Sequence, residues 1–240
     1  MGQNTTTKPD ISVIIPVYNE MATINRALSH LRAIAGSQSV EIIVSDGGPG
    51  HLTLKAIDDP QIVRVTSPPG RGRQLNAGAA VARGDILLFL HADTRLPDGA
   101  MQAIQTTVEA GSSGAFSLSI DSPSPALAVI AWCANLRTRL ERVPYGDQAQ
   151  FMSAEVFRTL GGFADIPIME DVELFKRIRI QGLPITILPG KVTTSSRRWD
   201  NEGVLRRTLT NWWLRTRYAF GAAPATLVAH YRPHDHKADE

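Results

Sequence analysis

The sequence predicts an α/β fold in which a mostly parallel central sheet carries helices on both faces. Its first half alternates short, β-branched apolar runs with segments whose apolar residues recur at helical spacing, which is the pattern of consecutive βαβ units. The 240 residues, 43% of them hydrophobic, are enough to bury one such domain. Ligands of this architecture bind beyond the carboxyl ends of the strands, so polar residues there are the first candidates for function.

The first half of the chain holds four predicted strands and three predicted helices. Residues 11–15 are a continuous apolar run that Pro16 ends, as in a strand buried on both faces. The next strands are predicted at residues 40–44, 61–65 and 86–90. Helices are predicted at residues 24–35, at residues 74–82 and from Pro97 onward.

The second half is less regular, but its elements can still be placed. Strands are predicted at residues 114–120 and 184–188, and helices at residues 125–142, 171–181 and 203–220. Ser153 is expected to cap a short helix that ends at the Gly161-Gly162 pair. We expect one domain over residues 11–232, with a first half at about 11–95 and a second half at about 96–232. Residues 1–10 and 233–240 are predicted to be disordered.

Composition and charge exclude several classes of protein. The net charge of +2 and the scattered basic residues give no basic stripe, which argues against a nucleic-acid partner. Cys133 is the only cysteine, so no intramolecular disulfide can form. The polar first ten residues lack the apolar core of a signal peptide, and the longest apolar run, 126–134, is too short to cross a bilayer. We therefore expect a cytoplasmic protein.

Three predicted strands end in polar residues that carry carboxylates. Glu20 follows the first strand, Asp46 the second, and Asp93 the fourth. Each alone could be a turn or cap residue. Because the carboxyl ends of parallel strands share one edge of the sheet, the three are expected to converge there.

His91 and Asp93 are the candidate metal ligands. A carboxylate that emerges from a buried strand can hold a divalent cation while phosphate oxygens of a ligand complete the coordination shell. Asp93 alone suits Mg²⁺, whereas an imidazole ligand from His91 would favour Mn²⁺. A packing or hydrogen-bonding role for His91 is the alternative.

Glu170 and Asp171 stand at the predicted start of a helix. They could cap the helix and favour its dipole, or a carboxylate there could face a cleft as a general base, which contributes about 10²–10⁴-fold. The spacing alone does not choose between these readings.

Two familiar nucleotide-binding fingerprints are missing from the sequence. The segment from Gly70 to Leu75 breaks the G-x-G-x-x-G pattern at its last glycine, and no P-loop motif occurs. Arg71, Gly72 and Arg73 are expected to form a flexible basic loop, which either meets phosphates or a base or is simply solvated.

Taken together, the motifs resemble those of the GT-A-fold, Rossmann-like family 2 glycosyltransferases. The resemblance spans roughly residues 11–199 and rests on the following segments: Ile11-Ser-Val-Ile-Ile-Pro-Val-Tyr-Asn-Glu20, Val44-Ser-Asp-Gly47, the run from Asn76 to Asp93, Gly161-Gly162-Phe163 and Glu170-Asp171. Three segments together are similar to a bacterial subgroup labelled "transferase 2, selenodomain-associated" or arsenosugar-biosynthesis-like: Gly146-Asp147-Gln148, Glu170-Asp171 and Ser196-Arg197-Arg198-Trp199.

The resemblance implies an inverting transfer of sugar from a nucleotide-diphosphate donor, a UDP- or GDP-sugar, to a hydroxyl of a small-molecule or lipid-linked acceptor. It implies a donor half at about 11–95 and an acceptor half at about 96–232. It implies that Asp171, with Glu170 beside it, is the base, and that Asp93 holds the metal, Mn²⁺ or Mg²⁺, and the diphosphate. The residues it implies for the nucleotide, donor or acceptor are Pro16, Tyr18, Glu20, Asp46, Arg71, Asn76, Ala92, Asp147, Arg198 and Trp199.

Two departures from the family pattern bear on this expectation. His91 replaces the first aspartate of the D-x-D signature, which bears on metal binding, and Ser195 replaces the first residue of the Q/R-x-x-R-W element of processive members. A catalytically degenerate nucleotide-binding protein, suggested by His91, is one alternative. A sugar-phosphate nucleotidyltransferase is another, disfavoured because residues 19–23 lack the Gly-rich loop and lysine of that class.

The last predicted helix leaves three interpretations open. Its leucines, tryptophans and arginines would suit a peripheral contact with a membrane surface, pairing in a homodimer, or packing on the domain itself. His234 and His236 could bring a metal ligand from the tail, although a disordered tail is the better explanation.

Overall fold

One eight-stranded sheet forms the centre of the molecule. The computed structural model describes residues 8–230, apart from the side chain of Arg198. The strands are β1 (Ile11–Val17), β2 (Val40–Asp46), β3 (Val63–Thr66), β4 (Ile86–Phe89), β5 (Thr94–Arg95), β6 (Ser113–Asp121), β7 (Gln150–Ser153) and β8 (Ile185–Ser195). Their order across the sheet is β3-β2-β1-β4-β7-β6-β8-β5.

The sheet is mostly parallel, and the predicted fold class is confirmed. β1 pairs in parallel with both β2 and β4, β2 with β3, and β6 with β8. β7 runs antiparallel to β4 and β6, and β5 runs antiparallel to β8. These two antiparallel strands were not predicted, and they attach the second half of the chain to the first.

The helices lie close to their predicted positions but differ at several ends. They are α1 (Ile24–Ala35), α2 (Leu52–Lys55), α3 (Arg71–Val81), α4 (Ala100–Glu109), α5 (Pro125–Glu141), α6 (Ala154–Thr159), α7 (Glu170–Ile180), α8 (Arg197–Glu202), α9 (Val204–Ala219) and α10 (Pro224–Leu227). Ser153 does cap α6, because its hydroxyl accepts the Val156 amide at 3.1 Å. Pro97 does not open α4, which begins after Gly99 in a left-handed conformation.

Apolar layers cover both faces of the sheet. Alternate residues of β1 supply both layers: Val13 packs in the layer with α1 and α4, and Ile14 in the layer with α3, α6 and α7. In the second layer, Phe89 contacts the rings of Phe157 and Phe163 at centroid distances of 5.1 and 4.8 Å. The sheet is thus covered as the continuous apolar runs predicted.

The predicted disordered termini lie largely outside the part of the chain described. Residues 1–7 and 231–240, which include His234 and His236, are not among the described residues. Asp10 belongs to the fold, since its amide donates to the Ser39 carbonyl at 2.8 Å. Between residues 8 and 230 no helix is long and apolar enough to span a membrane.

Candidate active site

A cleft of about 870 Å³ opens where the sheet edge meets α5 and α9. This volume lies in the range that ligand sites usually have. Six of the residues predicted for the site line it: Arg71, His91, Asp93, Asp147, Asp171 and Trp199. These residues come from five separate stretches of sequence, which the fold brings to one place.

His91 and Asp93 enter the cleft from the loop that follows β4. The Leu90 amide donates to the Ile14 carbonyl at 3.0 Å, so the loop begins beside the central strand β1. Directly after Asp93, β5 pairs with β8, and the Thr94 and Thr194 hydroxyls lie 3.3 Å apart. Asp93 therefore lies between β4 and β5, and each of these strands is hydrogen-bonded to a neighbouring strand.

Asp171 lies in the first turn of α7, and two backbone amides fix its carboxylate. Its Oδ2 accepts the Gly146 amide at 2.6 Å, and its Oδ1 accepts the Val172 amide at 2.8 Å. Only 8% of the residue is exposed, yet it borders the cleft. A carboxylate with this support has one defined orientation toward the cleft.

Gly146 lies between Asp171 and His91. A Cβ at this position would come within 3.0 Å of His91 Nε2 and 3.2 Å of Asp171 Oδ2. The short 3₁₀ turn that contains it is held by Gln148, whose amide group bonds the Tyr145 amide, the Thr138 hydroxyl and the Phe116 carbonyl. Because Gly146 has no side chain, the Asp171 carboxylate and the His91 imidazole can both lie this close to its backbone.

Glu170 is not among the residues that line the cleft, and it pairs with Arg71. Its side chain is fully buried, and its Oε1 pairs with the Arg71 guanidinium. Burial raises the pKa of Glu170 above its ordinary value, while Arg71 opposes the shift and Asp171 adds to it. Arg71 in turn lines the cleft, so Glu170 contacts a cleft residue through this ion pair.

The basic segment around Arg71 is helical, and the expectation of a flexible loop was wrong. Arg71, Gly72 and Arg73 form the first turn of α3. Arg73 pairs with Asp165 through two bonds of 2.7 and 2.9 Å. Arg71 is thus paired with Glu170 at the start of α7, and Arg73 with Asp165 in the segment before it. These ion pairs remove the freedom that a solvated loop would have.

Asp46 is buried at the end of β2, where it organises the following loop. Its Oδ1 accepts the Gly48 amide at 2.7 Å, and its Oδ2 accepts the Leu54 amide at 3.4 Å. Its carbonyl also bonds Nδ1 of His51 at 3.1 Å. The carboxylate therefore organises the segment from the sheet edge to the first turn of α2, over residues 47–54.

Pro16, Tyr18 and Glu20 lie on the same edge as Asp46 but outside the residues that line the cleft. Pro16 stands opposite Ser45 in the β1–β2 register, and Tyr18 is 42% exposed. Glu20 accepts the Thr23 hydroxyl at 2.7 Å and lies 3.5 Å from the Arg197 guanidinium. That last contact links the loop after β1 to the start of α8.

Of the other predicted site residues, Asn76 is not among those that line the cleft. Its amide group makes two bonds to the Phe163 backbone, at 2.8 and 2.9 Å, so it fixes the Gly161-Gly162-Phe163 turn. Ala92 packs beside the apolar core. Trp199 borders the cleft, and its buried indole N–H has no hydrogen-bond partner within residues 8–230. Arg198 lies in α8, and its side chain is outside the described part of the structure.

Sequence reasoning missed the apolar side of the cleft. Leu136 and Leu140 of α5 line it opposite Trp212 of α9 and Phe220. The helical spacing of the two leucines was visible in the sequence, but nothing local shows that they face a cleft rather than the core.

The residues at the cleft fit a divalent cation that a ligand helps to hold. Asp93 offers the hard oxygen that Mg²⁺ or Mn²⁺ prefers, and His91 lies two residues before it. Within the described residues no three His, Cys, Asp or Glu side chains are grouped to hold a metal. A cation here would therefore need oxygens from a bound diphosphate to complete its coordination.

Comparison with known proteins gives a consistent result. The family model described as "Glycosyl transferase family 2" matches residues 12–164. An uncharacterized glycosyltransferase of Mycobacterium tuberculosis is 29% identical over 199 residues, which cover 76% of this chain and 73% of that protein. The undecaprenyl-phosphate 4-deoxy-4-formamido-L-arabinose transferase of Aeromonas hydrophila is 32% identical over 114 residues, or 43% of this chain and 34% of that one.

The fold has a counterpart among solved structures. Residues 1–349 of TarS from S. aureus superpose with a TM-score of 0.60 at 17% identity, covering 78% of this chain and 60% of that one. At this identity the likeness concerns the GT-A fold alone.

Proposed function

The chain belongs to glycosyl transferase family 2, and on that premise we propose that it is an inverting, metal-assisted glycosyltransferase. It moves a sugar from a nucleotide-diphosphate donor, a UDP- or GDP-sugar, to a hydroxyl of its acceptor. The observation that carries the proposal is that Asp93, His91, Arg71 and Asp171 border one cleft. One side of that cleft suits a diphosphate, and the other presents a fixed carboxylate.

In this proposal Asp171 is the general base. Its carboxylate accepts the proton of the acceptor hydroxyl while the hydroxyl oxygen attacks the anomeric carbon. The bond from that carbon to the diphosphate oxygen breaks in the same step, and the nucleoside diphosphate leaves with the electron pair. The amides of Gly146 and Val172 hold the carboxylate in the orientation that this transfer needs.

Asp93, and His91 if its imidazole ligates, would hold the cation against the diphosphate of the donor. A bound cation offsets the charge that builds on the departing diphosphate. Arg71 lines the same cleft and adds a fixed positive charge. We assign Glu170 a positioning role, because it contacts Arg71 rather than the cleft.

The nucleotide would lie along the edge formed by the ends of β1 and β2. Tyr18 is exposed there, and the loop that Asp46 organises lies beside it. The Arg197–Glu20 contact would close this edge from the side of α8. We also propose membership of the "transferase 2, selenodomain-associated" subgroup, which the closeness of Gly146 to Asp171 supports, because both belong to its motifs.

The proposal is tested by supplying a panel of UDP- and GDP-sugars with Mn²⁺ or Mg²⁺ and measuring release of the nucleoside diphosphate. Turnover in the wild type and a loss of about 10²–10⁴-fold in Asp171→Asn are expected. Asp165→Asn, which also removes a carboxylate near the start of α7, is the matched control. Turnover in Asp171→Asn equal to that of the control would remove Asp171 as the base.

A second candidate is a nucleotide-binding protein that has lost turnover, and the observation that favours it is His91 in place of an aspartate. Calorimetry on the same panel separates the two candidates. Tight binding of a nucleoside diphosphate without sugar transfer to any acceptor, with either metal, would support the second.

A further inference from the structure

Helix α5 carries an exposed apolar stripe along one face. Val129, Trp132, Leu136 and Leu140 follow one another at intervals of three or four residues, which places them on one side of a helix. Trp132 is 63% exposed and Leu140 75% exposed. Isolated exposed apolar residues are ordinary, but a row of four along one helix marks a surface that meets something apolar.

Helix α9 carries a second stripe of the same kind. Leu205, Leu209 and Trp212 repeat at the same intervals, and Phe220 follows directly after the helix. Leu205 is 74% exposed and Phe220 87% exposed. The inner face of α9 packs through Leu214, which is buried against Ile168 and Leu227. Packing on the domain therefore accounts for the inner face and not for this stripe.

The two stripes belong to one surface. Arg215 of α9 pairs with Glu141 of α5, which ties the two helices together. Leu136, Leu140, Trp212 and Phe220 also border the cleft that contains Asp171. We call the exposed faces of both helices the α5/α9 surface. It is apolar at its centre, and the candidate active site opens onto it.

The charge of this surface is positive. Helix α9 contains four arginines and no acidic residue, but Arg207 is buried and pairs with Glu202, and Arg215 pairs with Glu141 of α5. Arg206 and Arg217 are exposed beside the apolar stripe of α9. Aromatic and leucine side chains flanked by arginines are what a helix at the headgroup level of a membrane presents.

We propose that the α5/α9 surface docks on an anionic lipid bilayer, with its apolar stripes at the headgroup boundary and its arginines against the phosphates. A second copy of the chain suits the surface less well. A twofold contact would set the arginines of one α9 against those of the other, and like charges facing each other across an interface are unfavourable.

The docking is tested by co-sedimentation of the full chain with vesicles of phosphatidylcholine alone and with one third phosphatidylglycerol. The chain is expected to sediment with the anionic vesicles, to be released by salt, and to show a blue shift of tryptophan fluorescence. Failure to bind anionic vesicles at low salt would overturn the proposal. The measurement uses no donor or acceptor, so it succeeds or fails independently of the proposed transfer reaction.

Single substitutions identify the surface. Trp132→Ser and Leu209→Ser should each weaken partitioning by about tenfold, since each removes a large side chain from the apolar contact. Val81→Ser is the matched control, because Val81 is an exposed apolar residue outside the α5/α9 surface. It lies on α3, which packs over β1, β2 and β3, while α5 packs on β6. A loss in the control equal to that in the two variants would contradict the placement.

The charge contribution has its own pair of variants. Arg206→Gln should weaken binding to anionic vesicles by about fivefold, whereas Lys55→Gln, which removes an exposed charge from α2, should leave it unchanged. Sedimentation velocity of the same samples without lipid completes the test. A concentration-dependent dimer that Trp132→Ser abolishes would assign the surface to a second copy of the chain instead.

Discussion

Asp93 brings a carboxylate to the cleft from a loop that hydrogen-bonded strands hold on both sides. If it ligates the cation, Asp93→Asn should weaken Mn²⁺-dependent binding of UDP or GDP by at least about tenfold, because loss of even an outer-shell partner costs a metal site 10–100-fold. Calorimetric titration with and without Mn²⁺ measures this. The effect should vanish without metal, where variant and wild type bind equally.

Asp98→Asn provides the matched control for that titration. Asp98 lies five residues further along the chain and is exposed. Its substitution therefore removes the same charge from outside the cleft. Should the two variants bind the nucleotide alike in the presence of Mn²⁺, Asp93 would not be a ligand. The same titration on His91→Asn tests the imidazole. If His91 is a ligand, its loss should weaken nucleotide binding with Mn²⁺ more than with Mg²⁺, whereas a packing role predicts no difference between the two metals.

Glu41 is a buried carboxylate that ties three segments of the first half together. Its Oε1 accepts the Ser12 hydroxyl at 2.6 Å and the Gly84 amide at 3.2 Å, and its Oε2 accepts Arg83 Nε at 3.1 Å. Burial acts to raise the pKa of Glu41, but the hydrogen bonds from Ser12 and from the Arg83 backbone and side chain outweigh it and lower the pKa below its ordinary value.

A lowered pKa in the folded state predicts a pH-dependent contribution to stability. The ionised form is favoured by folding, so the contribution is complete above the unfolded pKa of about 4.3 and is lost as the pH falls through the folded value. Glu41→Gln should therefore lower the free energy of unfolding by about 1–3 kcal/mol at pH 7, with a smaller difference at pH 3. Urea denaturation at both pH values measures it, with exposed Glu109→Gln as the neutral comparison. A difference that grows on acidification would contradict this assignment.

At the scale of elements, the strands that carry strong local patterns could be predicted and those that depend on distant partners could not. β1, β2 and β4 are apolar on both faces, and that pattern is unambiguous in the sequence. β7 is four residues long and begins with Gln150, whose side chain bonds the Pro144 carbonyl. β5 has two residues. Neither strand is long enough to show a periodicity in the sequence, because each is stabilised by pairing with a neighbouring strand.

The residues of the candidate site also differ in how far the sequence could predict them. One cleft is bordered by six of the predicted site residues, Arg71, His91, Asp93, Asp147, Asp171 and Trp199, and their roles stay predictions. Glu20 and Asp46, which their strand-end positions grouped with Asp93, are not among the residues that line it. The sequence alone could not predict that the Asn76 side chain bonds the Phe163 backbone, because those residues are 87 positions apart. Nor could it separate Glu170 from Asp171: adjacent residues on a helix point in directions about 100° apart, and only packing decides which one faces the cleft.

The turn that contains Gly146 gives a prediction at this scale. Gly146→Ala would press a methyl group against His91 Nε2 and Asp171 Oδ2, so one of them must move. A displacement of about 1 Å in a catalytic group can cost 10²-fold, and we expect a fall in kcat of about 10–100-fold with the melting temperature little changed. Steady-state kinetics and thermal unfolding measure the two effects.

Gly190→Ala controls for the substitution itself. A Cβ at Gly190 of β8 would meet only ordinary contacts, at 3.5–3.7 Å from Pro97 and Phe116, so this variant should keep both activity and stability. Wild-type kcat in Gly146→Ala would show that the close approach of His91 and Asp171 has no part in the reaction.

For the whole molecule, one sheet joins the two halves of the chain. β4 of the first half pairs with β7 of the second along residues 86–89 and 150–153, and the Phe89 ring packs against Phe157 and Phe163. The cleft likewise takes His91 and Asp93 from one half and Asp171 from the other. The predicted donor and acceptor halves therefore share both their core and their site.

This arrangement predicts that the halves unfold together. All four tryptophans, Trp132, Trp199, Trp212 and Trp213, lie in the second half, so their fluorescence reports on that half, whereas far-UV circular dichroism reports on the whole chain. Because separating the halves would expose the Phe89 cluster and leave β4 unpaired on one side, the two probes should give coincident thermal transitions. A saturating nucleoside diphosphate with Mn²⁺ at about 100 times its Kd should raise both midpoints equally, by about 5–10 °C. A fluorescence transition that precedes the loss of circular dichroism, or that the ligand fails to shift, would show two independently folding units and would place the nucleotide on the first half alone.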